Sequence, residues 1–198
     1  MSKKKKIGVF GSAFDPPTRG HYDVVKQAAP FHDEILLVPS AKHAFLKEMQ
    51  PFHYRVEMIN RFVKDIFIQS RRCKITACQI EDYLFKRQRY GARAVYTFDL
   101  MHALEAYYKD DNVELCFIRG PDNANPDIWQ RFYKSCEIEK RWLIFTAIER
   151  VNARSSQVRQ LIVDGEMDKE SGISLNRLLL PSVFDYIRSN RFYLKGVL

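Results

Sequence analysis

The sequence predicts an α/β protein: a Rossmann-like, open, mainly parallel sheet with helices on both faces and a small C-terminal helical region. Three observations carry the prediction. Short apolar runs alternate with stretches of helical periodicity along the chain. Gly and Pro stand at the boundaries, as at Pro39, Gly120, Pro126, Gly165 and Pro181. Internal repeats and low-complexity tracts are absent. Strands separated by helices pair in parallel, because each crossover returns the chain to the same end of the sheet.

The first strand is KIGVFGS (6–12), an apolar run that reads as buried. GHYDVVKQAAPF (20–31) follows as a helix with Tyr22, Val25 and Ala29 at helical spacing. DEILLVPS (33–40) is a second strand, ended by Pro39. QPFHYRVEMINRFVKDIF (50–67) is a second helix: Pro51 suits its first turn, and Phe52, Val56, Ile59 and Val63 share a face. RCKITACQI (72–80) supplies a third strand, and YTFDLMHALEAYYK (96–109) a helix with Thr97 as N-cap. NVELCFIRG (112–120) is a strand stopped by Gly120, NPDIWQRFYK (125–134) starts a helix at Pro126, and KRWLIFTA (140–147) is a further strand. SSQVRQLIVDG (155–165) is a short helix with a Ser N-cap and Gly165 as its stop. LPSVFDYIRSNRFY (180–193) closes the chain as a helix from near Pro181.

At 198 residues and 46% hydrophobic content, the chain suits one domain over 1–198, with 1–6 a basic tail and about 152–198 a C-terminal part. No apolar run approaches the roughly 20 residues of a membrane helix, and no secretory pattern precedes Gly11. A cytoplasmic protein without a membrane partner is expected. Cys73, Cys78, Cys116 and Cys136 lack paired spacing, so they read as reduced thiols rather than metal ligands. The net charge of +8 implies attraction to anions, from nucleic acid to phosphorylated small molecules. Lys3 to Lys6 read as a solvated tail, and KRQRYGAR (86–93) as a solvated helix end and loop.

Ligands of such sheets bind at the carboxyl ends of the strands, which directs attention to GSAFDPPTRGH, the segment after Val38, RGPDN and RSSQVR. In the first turn Gly11 supplies backbone freedom, and small Ser12 and Ala13 let a phosphate approach main-chain N–H groups. The next helix begins near Gly20 and His21, so its positive end faces the same place. The turn is neither a Walker loop nor G-x-G-x-x-G, and on spacing alone an ordinary tight βα turn remains open. RSSQVR places an Arg one turn inside a Ser-capped helix start, a combination that suits polyphosphate and equally suits a plain capped helix.

Phe14-Asp15-Pro16 followed by Thr18-x-Gly20-His21 resembles the N-terminal signature of the nucleotidyltransferases related in fold to class I aminoacyl-tRNA synthetases, with Thr18 where His is commoner. Ser155, Ser156, Val158 and Arg159 resemble that superfamily's second ATP motif, with Arg154 in place of its first Ser. Tyr96, Thr97, Asp99 and Leu100, the FIRGPDNANPDIW segment and the closing LLPSVFDYIRSNRFY resemble the nicotinate/nicotinamide mononucleotide adenylyltransferases. After Val38-Pro39, the family's His-Lys pair has only His43, Lys47 and Lys42 as candidates, while Arg55 and Met58 fit on the next helix.

The resemblance implies adenylyl transfer from ATP to a pyridine mononucleotide, releasing pyrophosphate. It implies His21, Thr18 and Arg159 as catalytic groups, His21 and Thr18 as donors to phosphate. ATP would also meet Gly11, Ser12, Ala13, Phe14, Gly20, Lys47, Gly120, Asp122, Ser155 and Ser156. The mononucleotide would meet Asp15, Lys47, Tyr96, Thr97 and Asn123, with Trp129 stacked on its ring. Mg2+ would arrive with ATP, held by substrate and water rather than by a protein metal site. The closing helix would only pack. Two rival readings remain: phosphopantetheine adenylyltransferase, which also uses T-x-G-H, and a non-catalytic RNA-binding module built on the basic segments.

Overall fold

The computed structural model describes residues 3–42, 48–66, 73–88, 93–167 and 173–194. Its first half runs β1 (Lys5–Ser12), α1 (Arg19–Ala28), β2 (Glu34–Pro39), α2 (Phe52–Asp65), β3 (Lys74–Ala77), α3 (Ile80–Arg87) and α4 (Thr97–Tyr107). The second half runs β4 (Val113–Arg119), α5 (Pro126–Trp129), α6 (Ser135–Arg141), β5 (Leu143–Thr146), α7 (Ser155–Val163), α8 (Ile173–Leu178) and α9 (Pro181–Asn190). The strands form one sheet ordered β3-β2-β1-β4-β5, and every neighbouring pair is parallel. This is the predicted Rossmann-like α/β architecture.

Alternation along the strands divides the core between the two faces. Ile35, Leu37 and Ile118 pack on one side with α1, α2, α7 and α9 through Val25, Ile59, Val158 and Ile187. Ile7, Val9, Leu36 and Phe117 pack on the other with α4, α5 and α6 through Leu104, Trp129 and Ile138. Residues buried on both faces explain why β1 and β2 read as apolar runs. From β1 the chain passes to β2 on one side, while β4 returns on the other side of β1. The carboxyl ends of β1 and β4 therefore border a crevice from which connections lead away in opposite directions.

Several predicted boundaries move. Helix α1 ends at Ala28, and Ala29–Phe31 tightens into a 3-10 turn because Pro30 has no N–H to continue the ladder. Pro51 precedes α2 as its N-cap instead of sitting in its first turn. Tyr96, not Thr97, caps α4, and Arg154, not a Ser, caps α7. Lys5 and Lys6 belong to β1, where Lys5 pairs with buried Glu34 at 2.7 Å, so the basic run is only partly a tail. Helices α3, α6 and α8 escaped the periodicity because each is short. In α3, Glu81 and Asp82 at the start and Lys86 and Arg87 at the end complement the helix dipole. All four cysteines are free, and burial pushes the Cys73 and Cys116 thiols up to about 11. Among the described residues no helix is long and apolar enough to cross a membrane.

Gly8 in β1 shows how tightly the first strand meets β4 and the segment that follows α1. A Cβ there would stand 2.6 Å from Ile118 Cδ1 and 3.1 Å from the His32 ring. The ring is held in turn by its Nδ1–H, which donates to Ala28 O at 2.8 Å. Gly8→Ala should cost about 1–3 kcal/mol of stability through overpacking, measured by urea unfolding; a variant as stable as the parent contradicts this packing.

Candidate active site

A cavity of about 970 Å³ opens at the carboxyl ends of β1 and β4. Gly11, Ser12 and Ala13 form its floor, with Gly20 and His21 of α1 on one wall and Ser155 and Ser156 of α7 beside them. Gly120, Asp122 and Asn123 follow β4, and Tyr96 and Thr97 open α4 on the far wall. Two helix N-termini, those of the ten-residue α1 and the nine-residue α7, thus meet one cavity.

Thr18-x-Gly20-His21 is a helix start in which each residue has a separate task. Thr18 is the N-cap of α1 in extended conformation, and His21 is its N3 residue. The Thr18 N–H donates to His21 Nδ1 at 3.0 Å, the second arm of a capping box with a His where Glu or Gln is usual. Accepting that bond leaves Nδ1 without a proton, so the neutral ring carries it on Nε2, 3.1 Å from Ser12 Oγ. Withdrawal from water pushes the His21 pKa down to about 4. His21 is therefore a neutral donor at pH 7, fixed against Phe14 with ring centroids 4.9 Å apart.

Thr18 itself is fully buried, and its hydroxyl donates to Ala153 O at 2.6 Å. It does not present a donor to the cavity, contrary to expectation, because its one proton is already committed. Gly20 is required by the same contact: a Cβ would lie 2.5 Å from Ala153 O. Gly11, by contrast, sits in regular strand, and a Cβ there would meet nothing within 4 Å. Its missing side chain leaves open space in the cavity; the left-handed conformation of this turn falls instead on Phe14, at φ 48°.

Three side chains hold the carbonyls of that turn. Arg55 of α2, 1% exposed, donates from Nη1 to Ala13 O and from Nε to Gln50 O, both at 2.8 Å. Ser155 Oγ donates to Pro16 O at 2.8 Å, and Arg159 Nη1 donates to Asp15 O. The peptide between Asp15 and Pro16 is cis. Asp15 is 1% exposed and its Oδ1 accepts from Tyr193 Oη at 2.6 Å. Phe14, Asp15 and Arg159 consequently stand behind the cavity wall rather than on it, which corrects the contacts expected for them. Ser155 does line the cavity, but as the first residue of α7.

Arg154 bridges Asp122 and Glu149 at the cavity rim, with Nη2 2.7 Å from Glu149 Oε1, and so offsets part of the negative charge of the two carboxylates. The far wall is aromatic: the Tyr96 and Tyr133 rings lie 5.2 Å apart beside Phe132. Trp129 is not part of it. At 4% exposure it packs beneath Phe117 and Phe132, with Arg119 over its ring, so it does not present the ring to the cavity as expected. Lys42 lines the cavity, as does Glu81, whose carboxyl accepts from the Ala41 N–H at 3.0 Å. Burial pushes Glu81 up to about 8, which keeps an anion off this wall. His43 and Lys47, and residues 89–92 of the basic cluster, lie outside the described residues.

Sequence reasoning missed Tyr133, Glu81, Tyr193 and the anchoring task of Arg55. The T-x-x-H spacing would have exposed the capping box, since N-cap and N3 are three apart. Nothing in the local sequence marks Tyr193 as a partner of Asp15, 178 residues away.

The unfolded chain protonates His21 near 6.5 and the folded chain near 4, so this group removes stability as pH falls between those values. An NMR titration of the His21 ring should give a midpoint near 4 in the free protein; a midpoint near 6.5 contradicts the neutral, desolvated ring.

A family model described as cytidylyltransferase-like matches residues 9–161. A phosphopantetheine adenylyltransferase of Vesicomyosocius okutanii is 40% identical over 65 residues, 31% of this chain and 39% of that protein. A Leptospira borgpetersenii protein assigned as a nicotinate-nucleotide adenylyltransferase is 24% identical over 211 residues, covering 98% of this chain and 100% of that one. The crystal structure of a Vibrio parahaemolyticus protein with the same assignment superposes with a TM-score of 0.74 and 25% identity, over 98% of each chain. With the T-x-G-H turn and the start of α7 both inside the matched span, the chain belongs to the cytidylyltransferase-like family of nucleotidyltransferases.

Proposed function

We propose that the protein transfers the adenylyl group of ATP to nicotinate mononucleotide, forming the dinucleotide and pyrophosphate in NAD biosynthesis. One observation carries this reading: His21 Nε2–H and the N-termini of α1 and α7 address the same cavity, opposite an aromatic wall. Helix N-termini attract phosphate through unpaired N–H groups and the dipole. The rings of Tyr96 and Tyr133 offer a flat apolar surface to a heteroaromatic base. The relatives aligned over the full chain support this acceptor, whereas the phosphopantetheine adenylyltransferase match covers less than a third of it.

The attacking group is the 5′-phosphate of the mononucleotide, already anionic, so no strong general base is needed. An oxygen of that phosphate bonds to the α-phosphorus of ATP, and the bond to the bridging oxygen of pyrophosphate breaks. Catalysis rests on positioning and on donors aimed at developing charge. His21 turns its Nε2–H from Ser12 to the phosphates, while the Thr18 N–H keeps the ring in that tautomer. The main chain of Gly11, Ser12 and Ala13 and the first turn of α7 complete the ATP side, and Thr97 and Asn123 contact the mononucleotide. Among the described residues no three His, Cys, Asp or Glu gather to hold a metal ion. Mg2+ would enter with ATP, carried by its phosphate oxygens and water. Reduced cysteines and this substrate pair accord with a cytoplasmic enzyme.

Pyrophosphate release should be measured with ATP and, separately, nicotinate mononucleotide, nicotinamide mononucleotide and phosphopantetheine. Nicotinate mononucleotide should be turned over fastest; a preference for phosphopantetheine overturns the acceptor. His21→Ala should lower kcat at least ~100-fold, the scale of one transition-state donor at roughly 2.7–4 kcal/mol. A folded His21→Ala variant of near-normal kcat removes His21 from the mechanism.

A further inference from the structure

We propose that Tyr193, near the C-terminal end of the described chain, is a positioning residue for the ATP-binding turn and acts through Asp15. The inference rests on the ATP site proposed above and extends it to a segment with no expected role beyond packing. Tyr193 follows α9 in left-handed conformation at φ 66°, and its hydroxyl donates to Asp15 Oδ1 at 2.6 Å.

Asp15 has little else to hold it. Its Oδ1 also accepts a longer bond, 3.3 Å, from the Gln50 N–H. Its Oδ2 is buried without a hydrogen-bond partner, with Arg159 Nη1 3.8 Å away. At 1% exposure the carboxylate has no bulk water to replace a lost donor. Short charge-assisted bonds are the strong ones, so the phenol is the principal anchor of this side chain. Burial and the adjacent carboxylate both push the Tyr193 pKa up, which keeps the phenol protonated and able to donate.

What Asp15 anchors is the strained part of the turn. Phe14, immediately before it, is held at φ 48°, a conformation costly for a side chain with a Cβ. The Phe14 ring in turn backs the His21 ring. Without the Tyr193 hydroxyl, Asp15 is free to close on Arg159, and Phe14 is free to relax toward negative φ. Either movement displaces the floor formed by Ala13 and the ring of His21. The far wall at Tyr96 and Tyr133 has no part in this chain of contacts.

Tyr193→Phe keeps the buried ring and removes only the donor. ATP binding should be measured by calorimetry in the absence of any acceptor, and KM for ATP and for nicotinate mononucleotide by steady-state assay. The dissociation constant and KM for ATP should rise roughly tenfold, the scale of one such bond, with KM for the mononucleotide unchanged. In an Asp15→Ala background, Tyr193→Phe should have no further effect on ATP binding. Unchanged ATP affinity in Tyr193→Phe overturns the inference. So does an equal loss for both substrates, or an additive effect with Asp15→Ala, since each marks a merely structural residue. Failure of the parent protein to bind ATP would instead count against the proposed function. Should Asp15→Ala not fold, Asp15→Asn takes its place in the cycle, and the ATP-selective loss in Tyr193→Phe still decides.

Discussion

The bond from the Thr18 hydroxyl to the Ala153 carbonyl, 2.6 Å long and fully buried, joins segments 135 residues apart. It is one of three. Ser155 returns a bond to Pro16, and Arg159 returns one to Asp15. Together they latch the start of α7 to the turn between β1 and α1. A turn containing two prolines and a left-handed Phe14 has few internal hydrogen bonds with which to define itself. Its carbonyls are satisfied by side chains from α2 and α7, so its shape depends on elements that arrive far later in the chain. Gly20 belongs to the same constraint, because any side chain there would collide with the Ala153 carbonyl.

The latch decides the electrostatics of the cavity. It brings the N-termini of α1 and α7 to one place, where their positive ends add. It also fixes Thr18, whose N–H holds His21 Nδ1 unprotonated and so leaves the ring's donor on Nε2. Arg154, bridging Asp122 and Glu149, offsets part of the negative charge there that would oppose phosphate. A buried Glu81, displaced toward its neutral form, does the same on the far side. The site is thus made acceptable to anions as much by suppressing negative charge as by presenting positive charge.

The sheet and its order of elements were legible because strands buried on both faces and amphipathic helices leave periodic marks in sequence. Short α3, α6 and α8 left none, each having too few turns to show a face. Helix caps shifted by one residue at Tyr96 and Arg154, where the extended residue before the helix has no capping side chain to advertise it. In the site, positions facing the cavity were readable from the strand ends: Ser12, His21, Asp122 and Ser156 are all there. Residues behind the wall were misplaced. Asp15, Phe14, Thr18 and Arg159 sit in motifs, and a motif does not say whether a side chain faces ligand or holds the chain that does. Trp129 was placed by its aromatic character, yet burial against Phe117 absorbs it, and the exposed ring belongs to Tyr133. For Asp15, Thr18 and Arg159 the distinction depends on contacts more than a hundred residues away along the chain, which no local pattern records.

The most direct test is a double-mutant cycle on ATP binding between Thr18→Val and Ser155→Ala, each of which deletes one bond of the latch. If the two segments act as one unit, either substitution releases the turn and the second adds little. The coupling should then exceed roughly 0.5 kcal/mol, beyond what independent sites show. Losses that simply add would contradict the latch, and would mean that the two motifs contact ATP separately.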